Sequence, residues 1–116
     1  MLYVTTGVLE NPTVAGKKPT TTVTVKVHNA GLINDSVQII GFYLDGTTMV
    51  QYVNEVNSLA AGQVLTKSYF AQFDSFEFQF MTIEDSMQIS VWGKDAGGNL
   101  NPAHRVLPAE LNPIPL

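Results

Sequence analysis

The two histidines and ten carboxylates are the side chains that could do acid–base or metal chemistry, and they are scattered along the sequence. His28 alternates with valines in a run typical of a β-strand, and His104 stands beside Arg105 near the C-terminal end. A metal site or an acid–base pair would need both histidines to meet a carboxylate in space, and nothing in the spacing indicates this. Glu84 and Asp85 are adjacent, so we expect them at a solvated turn tip. We therefore predict surface or rim histidines, no catalytic residue and no metal site.

Other reactive groups are absent from the sequence or isolated in it. There is no cysteine, which excludes disulfides, thiolate ligands and cysteine nucleophiles. The serines show no nucleophile-elbow pattern, and Gly97-Gly98 has no following helix or lysine that would make a phosphate cradle. Lys26 could donate an isopeptide bond, but no sequence feature identifies an acceptor, and the oxygens around Asp95 and Asn99 are too few for calcium. The sequence therefore predicts no enzyme and no cofactor.

Three aromatic residues could form a platform for a ligand, because sugar-binding β domains often stack sugar rings on exposed tryptophan or tyrosine. These ligand-platform candidates are Trp92, Tyr43 and Tyr52. The segment around Tyr43 is apolar on both faces of the expected strand, and Trp92 opposes the apolar set of its own strand. Three roles stay open for these side chains: packing in the core, contact with another subunit, and ligand binding.

The charge content of the chain bears on its partners. Charged residues make up 14% of the 116 residues, whereas typical soluble domains have about 25%. Either the exposed faces use Thr, Ser, Asn and Gln instead, or much of the surface is covered in an assembly. The formal net charge is −4 and the six basic residues are dispersed. Neither nucleic acid nor an anionic membrane is therefore an expected partner.

Apolar residues recur with a period of two, which predicts β-strands with one face in a core. The alternating sets are Val23, Val25 and Val27; Phe76, Phe78 and Phe80; and Met87, Ile89 and Val91. With turn residues at short spacing, the pattern predicts strands near residues 2–9, 20–29, 36–44, 48–56, 64–71, 75–83, 86–94 and 99–107. The expected fold is all-β: a single antiparallel β-sandwich, immunoglobulin-like or jelly-roll, of about seven to eight strands with extended termini.

Three tight turns are expected between these strands. Asp45-Gly46 lies between two apolar runs and predicts a type I′ hairpin, which needs a positive φ at both central residues. Residues 83–86 are interpreted as a second hairpin that pairs the phenylalanine strand with the strand that begins near Met87. The glycine-rich residues 94–99 form the third turn.

The two ends of the chain differ from its middle. We divide the chain into an N-terminal strand or arm and loop (residues 1–19), the sandwich core (20–107) and a proline-rich extended tail (108–116). Prolines stop regular strand pairing, yet this tail is apolar, whereas disordered tails are usually polar. We expect the ends to lie on a surface, either of their own domain or of a neighbouring copy. The candidate subunit-interface residues are Leu2, Val4, Val8, Leu107, Leu111, Ile114 and Leu116.

The N-terminal residues carry no secretion signal, because no basic segment is followed by an apolar one. No run of 18 apolar residues exists that could span a membrane. If Met1 is the native start, we expect synthesis in a cytoplasm.

Several segments resemble known surface proteins. Residues 21–31, a valine strand that ends in Asn29-Ala30-Gly31, and residues 37–46 resemble the start of immunoglobulin-like extracellular sandwiches, and residues 58–63 resemble their Leu-x-x-Gly turn. Residues 91–107 are similar to small β-sandwich surface proteins of spore-forming Gram-positive bacteria, some of which build spore appendages or exosporium layers. In that group an extended N-terminal arm completes the sheet of a neighbour. The cysteines that cross-link those arms are missing here, so strand addition without covalent cross-links is the remaining way to assemble copies.

These expectations combine into one leading function and one alternative. The leading function is a structural subunit of a self-assembling extracellular or spore-surface filament or layer, with copies joined by β-strand addition. The alternative is an adhesive or carbohydrate-binding β-sandwich module. The expected partners are other copies of the chain and surface glycans. The expected location is the cell or spore surface, reached without a signal peptide.

Overall fold

Ten β-strands and one short 3-10 helix make up the computed structural model, which describes residues 1–115. The strands are β1 (Leu2–Thr5), β2 (Leu9–Glu10), β3 (Thr22–Asn29), β4 (Asp35–Asp45), β5 (Thr48–Leu59), β6 (Val64–Phe70), β7 (Ser75–Thr82), β8 (Met87–Lys94), β9 (Leu100–Val106) and β10 (Asn112–Pro113). The 3-10 helix spans Pro108–Glu110. The strand predictions are confirmed within a few residues, except that the first strand is broken in two and β5 continues to Leu59.

The strands form two antiparallel sheets, which confirms the all-β, sandwich-like fold class. Sheet 1 has the order β10-β1-β7-β4-β5, and β2 pairs with β7 beyond the end of β1. Sheet 2 has the order β6-β3-β8-β9. Neighbouring strands are mostly non-consecutive in sequence, so the chain crosses repeatedly between the sheets.

The core lies between the sheets and consists of the alternating residues that the sequence indicated. Val23, Val25 and Val27 of β3 and Phe76, Phe78 and Phe80 of β7 are all fully buried. Met87, Ile89 and Val91 of β8 are at most 4% exposed, and Leu59 closes one end at 1%. Burial of these side chains is the main driving force for folding, because each large apolar side chain contributes about 1.5–3 kcal/mol when fully buried.

The predicted hairpin at residues 83–86 is wrong. β7 pairs with β4, β1 and β2 in sheet 1, whereas β8 pairs with β3 and β9 in sheet 2. Residues 83–86 therefore carry the chain from one sheet to the other. Both strands bury an alternate set of side chains in the same core, and such sets can face each other from opposite layers as well as from neighbouring strands.

The turn between β4 and β5 forms where Asp45-Gly46 indicated, but its type differs. Asp45 is paired with Thr48, so Gly46 and Thr47 are the central residues. Gly46 has φ +63°, and Thr47 does not have a positive φ. A positive φ at the first central residue alone is the mark of a type II′ turn rather than type I′.

Both ends of the described chain lie in sheet 1. β1 pairs with β7 on one side and with β10 on the other, with Val4 opposite both Phe80 and Pro113. Gly7, at φ +70°, separates β1 from β2. The N-terminal segment, predicted as a strand or arm that lies on its own domain or on a neighbouring copy, is a strand inside the sheet of its own domain, and its Val4 side chain is only 5% exposed.

Asn11 is fully buried at one end of the sandwich, where its polar groups connect several segments. Its side-chain amide donates to the carbonyls of Thr20 (2.8 Å) and Ala71 (3.1 Å), and its Oδ1 accepts from the Thr20 N–H (3.0 Å). Its backbone N–H donates to the Asp74 carbonyl at 2.7 Å. These bonds join the chain before β3, the end of β6 and the start of β7, so they fix three connections at once.

Candidate binding surfaces

His104 is buried, and the prediction of a surface or rim position for it is wrong. It is 5% exposed and lies between the two sheets. Its Nε2 donates to the Glu10 carbonyl at 2.7 Å, because a carbonyl can only accept. Its Nδ1 lies 2.6 Å from the Thr20 hydroxyl, which also accepts from Asn101 Nδ2 at 2.9 Å. The imidazole is therefore a structural link between β9 and β2.

The remaining acid–base candidates stay apart. His28 is exposed on the outer face of sheet 2, as its alternation with valines indicated. Within residues 1–115 no three His, Cys, Asp or Glu side chains are grouped closely enough to hold a metal ion.

The candidate interface residues at the ends are mostly engaged within their own domain. Val4 belongs to the core, while Leu2 and Leu111 are half-buried and pack against it. Ile114 is half-buried, and its N–H donates to the Tyr3 carbonyl at 2.8 Å. Leu107 is also half-buried, whereas Val8 is 54% exposed. Leu116 lies outside the described residues.

Tyr43 and Tyr52 belong to an aromatic cluster, which also contains Phe70 and Phe73. Tyr43 stacks on Phe73 with ring centroids 4.6 Å apart, and Tyr52 meets Phe73 edge-on at 4.9 Å. The Tyr52 hydroxyl donates to the Phe70 carbonyl. Burial raises the pKa of Tyr52 from 10.0 to about 12. The cluster packs β4 and β5 of sheet 1 against the end of β6 in sheet 2.

Trp92 lies elsewhere, so the three platform candidates do not form one site. It is half-buried on the outer face of sheet 2, together with Ser90, while Val91 of the same strand points into the core. Its indole N–H donates to the Ser90 hydroxyl at 2.8 Å. Its cross-strand neighbours are Thr24 on β3 and Arg105 on β9.

β5 is an edge strand of sheet 1 and pairs only with β4. A bulge divides it, because Gly41 is opposite Val53 and Phe42 is opposite Gln51, which leaves Tyr52 without a paired residue. A bulge redirects a side chain, and here it accompanies the Tyr52 contact with sheet 2. Residues 53–59 then continue as a regular strand with one edge free.

Two polar side chains stand on the core-facing side of this edge. Glu55 accepts from the Tyr69 hydroxyl through Oε1, and Lys67 Nζ lies 3.5 Å from the same oxygen. Burial and the bond to Glu55 raise the pKa of Tyr69. Within residues 1–115, no hydrogen bond reaches Glu55 Oε2, and Asn57 Nδ2 is the only buried side-chain nitrogen or oxygen without a partner. Such an orphan costs about 1–3 kcal/mol, so an acceptor brought next to Asn57 Nδ2 would be stabilising.

Sequence reasoning did not single out Glu55 and Asn57. The signal that could have found them is the length of β5: a long run without proline, glycine or lysine next to a hairpin turn, which is unusual for an unprotected edge.

Comparison with known proteins gives one family. The sequence model of the CARDB family matches residues 2–86. CARDB domains are immunoglobulin-like β-sandwiches that occur in surface and extracellular proteins. No curated protein and no solved structure matches the chain. In the described part of the chain, no helix is long and apolar enough to cross a membrane. The match supports the immunoglobulin-like fold and the occurrence of such domains in surface proteins. It does not support the link to spore-forming bacteria.

Proposed function

The chain belongs to the CARDB family of immunoglobulin-like surface domains, and we propose that it is a non-enzymatic structural domain that joins copies of itself through the free edge of β5. A sheet edge presents unpaired N–H and C=O groups, which can take up the strand of another chain. The partner strand is β5 of a second copy, and the two sheets then continue into one another.

β5 differs from the other edge strands in having no basic residue and no proline along residues 53–59, where Glu55 is the one charged side chain. Natural proteins shield sheet edges with lysine, proline, short strands or bulges. β6 carries Lys67, β9 carries Pro102 and Arg105, and β10 is two residues long with Pro113. Residues 53–59 hold no lysine, arginine or proline and are paired on one side only.

The orphan amide of Asn57 carries the proposal, because one antiparallel register supplies its missing partner. If the two strands pair about a two-fold axis at Val56, Asn57 of each copy lies opposite Glu55 of the other. A two-fold axis perpendicular to the sheet keeps both side chains on the core-facing side. Asn57 Nδ2 can then donate to Glu55 Oε2, the acceptor that has no bond in the single copy. The contact is made twice.

The same register suits the outer side of the strand. Val56 is 65% exposed in the single copy, and it would face Val56 of the partner, so that apolar surface is removed from water. A register centred on Glu55 would set two carboxylates opposite each other, which is unfavourable. A register centred on Asn57 would leave its amide facing an identical amide and Glu55 facing Leu59.

A two-fold contact closes into a pair, because both copies use the same patch. A filament or layer at a cell or spore surface would need a second contact, and β10 is the outermost strand at the opposite edge of sheet 1. The strand that joins two copies in this proposal is β5 and not the N-terminal segment, which is held between β7 and β10. On a crowded surface, the high effective concentration of copies would favour pairing even through the small contact between two β5 strands.

Val56→Lys tests the proposal, with Val64→Lys as its matched control. Both valines are exposed edge-strand residues, at 65% and 55%, and lie in different sheets. We expect the wild type and Val64→Lys to show a concentration-dependent monomer–dimer equilibrium by sedimentation velocity. Val56→Lys should be monomeric over the same range, because two lysines would face each other across the axis.

Asn57→Asp gives a second, independent variant. It sets a carboxylate opposite Glu55 of the partner, and we expect dimerisation to weaken about tenfold at neutral pH, or about 1.4 kcal/mol. A wild-type protein that stays monomeric at millimolar concentration, or equal loss of dimer in both lysine variants, would contradict pairing through β5.

A further inference from the structure

The two sheets carry opposite charge. The strands of sheet 1 contain no lysine or arginine, and their acidic residues are Glu10, Asp35, Asp45, Glu55 and Glu77. The strands of sheet 2 contain no aspartate or glutamate, and their basic residues are Lys26, Lys67, Lys94 and Arg105. A chain with a net charge of −4 therefore has one sheet whose strands are only basic.

Three of the four basic side chains stand on the outer face of sheet 2. Lys26, Lys94 and Arg105 alternate with buried residues, whereas Lys67 points the other way and pairs with Glu55. Within residues 1–115, none of the three outer cations makes an ion pair. Their charges are thus available to a ligand.

Trp92 lies among these cations. Arg105 is its direct cross-strand neighbour, and Lys94 follows it by two residues on the same face. Lys26 is paired with Ser90 and is therefore diagonal to Trp92, a separation of about 7–8 Å between strands. Because Ser90 already holds the indole N–H, Trp92 offers a ligand its ring and not a hydrogen bond.

Hydroxyl groups complete this face. Thr24 is the other cross-strand neighbour of Trp92, and its hydroxyl lies 3.1 Å from that of Ser68 on β6. Thr66 is the neighbour of Lys26 on the same side. The outer face of sheet 2 thus combines one aromatic ring, three unpaired cations and a row of hydroxyls, with no strand carboxylate.

We propose that this face binds an acidic polysaccharide. A sugar ring would stack its C–H face on Trp92, and a neighbouring carboxylate or sulfate would accept from the Arg105 guanidinium, which suits planar anions through two parallel N–H bonds. Lys26 and Lys94 would attract further acidic groups along the strand direction. Sugar hydroxyls would exchange hydrogen bonds with Ser68 and Thr66, which are exposed on β6.

Nucleic acid fits this face less well, although bases also stack on tryptophan. Duplex DNA carries one charge per about 1.7 Å, and it would extend past three cations onto a molecule of net charge −4. A polysaccharide with one acidic group per sugar has a lower density of charge and offers hydroxyls between its acidic groups.

Trp92 is the only tryptophan of the chain, so its fluorescence reports on the proposed site directly. The probes are oligogalacturonate and dextran sulfate, with methyl-esterified oligogalacturonate and dextran as their uncharged counterparts. We expect at least one acidic probe to change the Trp92 emission saturably and to bind at least tenfold more tightly than its uncharged counterpart. The carboxylate and sulfate arms tell which acidic group is preferred, and rising salt should weaken binding.

Arg105→Gln and Lys67→Gln form the matched pair of variants. Each removes one positive charge from sheet 2, but only Arg105 belongs to the outer face. We expect Arg105→Gln to weaken binding about tenfold, and Lys67→Gln to bind like the wild type. Trp92→Ala, followed by calorimetry, should lose binding while its thermal unfolding stays cooperative.

Four outcomes would overturn the proposal: no binding of either acidic probe, equal binding of the uncharged counterparts, equal weakening by Lys67→Gln, or binding confined to a single-stranded oligonucleotide. The result does not depend on dimerisation, because the outer face of sheet 2 is separate from the edge of β5. The monomeric Val56→Lys variant should bind an oligogalacturonate too short to reach two copies with the same affinity as the wild type, because such a probe gains nothing from pairing.

Discussion

At the scale of single residues, buried polar side chains hold the two sheets and their connections in place. Asn29 does at one end what Asn11 does at the other: its amide donates to the carbonyls of Ile33 (2.9 Å) and Leu59 (3.2 Å). Both asparagines are fully buried. Buried polar groups of this kind are favourable only when fully bonded, so these residues specify the arrangement of the loops more than they add net stability.

His104 allows a direct test of this role. We expect His104→Phe to lower the free energy of unfolding by about 2–4 kcal/mol, because the buried Thr20 hydroxyl and the Glu10 carbonyl would lose the partner that they share. His28→Phe, at an exposed position, should change it by at most about 0.5 kcal/mol. Urea denaturation measures both, and similar midpoints for the two variants would show that the imidazole does not link the sheets.

The burial of His104 was not predictable from the local pattern. In β9, Pro102 and Ala103 interrupt the alternation that marks β3, β7 and β8. The sequence pattern therefore does not indicate whether His104 faces the core or the solvent. The partner groups, Thr20 and Glu10, are far away in sequence. The unpaired amide of Asn57 was not predictable either, because an asparagine on an amphipathic strand is ordinarily exposed to solvent.

At the scale of elements, β1 is an inner strand of its own sheet, paired with β7 on one side and β10 on the other. A detached arm would tolerate loss of apolar side chains, whereas a strand between β7 and β10 would not. We expect Val4→Ala to cost about 2 kcal/mol of unfolding free energy, because Val4 is 5% exposed. Val8→Ala, at 54% exposure, should stay within about 0.5 kcal/mol.

Thermal or urea unfolding of these two variants decides between the two descriptions of the N-terminal segment. Equal stability of Val4→Ala and Val8→Ala would mean that β1 is not part of the folded sheet in solution.

The contact of β5 with sheet 2 predicts a response to alkali. The pKa of Tyr52 rises from 10.0 to about 12 on folding, so its contribution to stability is complete below pH 10 and is lost as pH approaches 12. The difference in tyrosinate absorbance between the wild type and Tyr52→Phe should therefore have its midpoint near pH 12. A midpoint near pH 10 would show that the hydroxyl is open to water.

Element boundaries were predictable, but element partners were not. The period of two placed β3, β7 and β8, because one face of each is buried in a shared core, and turn residues at short spacing placed the other long strands. It gave the wrong partner for β7 and β8, since the short connection at residues 83–86 suits a hairpin and a crossing between sheets equally well. Which layer a strand enters depends on long-range pairing, such as Thr24 with Trp92, that no local pattern encodes.

At the scale of the whole molecule, the two proposed surfaces are compatible with each other. Pairing through β5 extends sheet 1 sideways and leaves the outer face of sheet 2 exposed. Two copies related by a two-fold axis perpendicular to the sheets would present their basic faces in the same direction. A pair could then contact one acidic polymer at two places, which raises the apparent affinity without any new contact.

The position of β8 has a consequence for how the domain is made. The family match ends at residue 86, yet β8, which begins at Met87, is an inner strand of sheet 2 and supplies Ile89 and Val91 to the core. In a nascent chain on the ribosome, the core-facing sides of β3 and β7 would stay incompletely covered until β8 emerges. We expect the sandwich to close only after β8 and β9 have emerged from the ribosome, so that the domain folds as one unit.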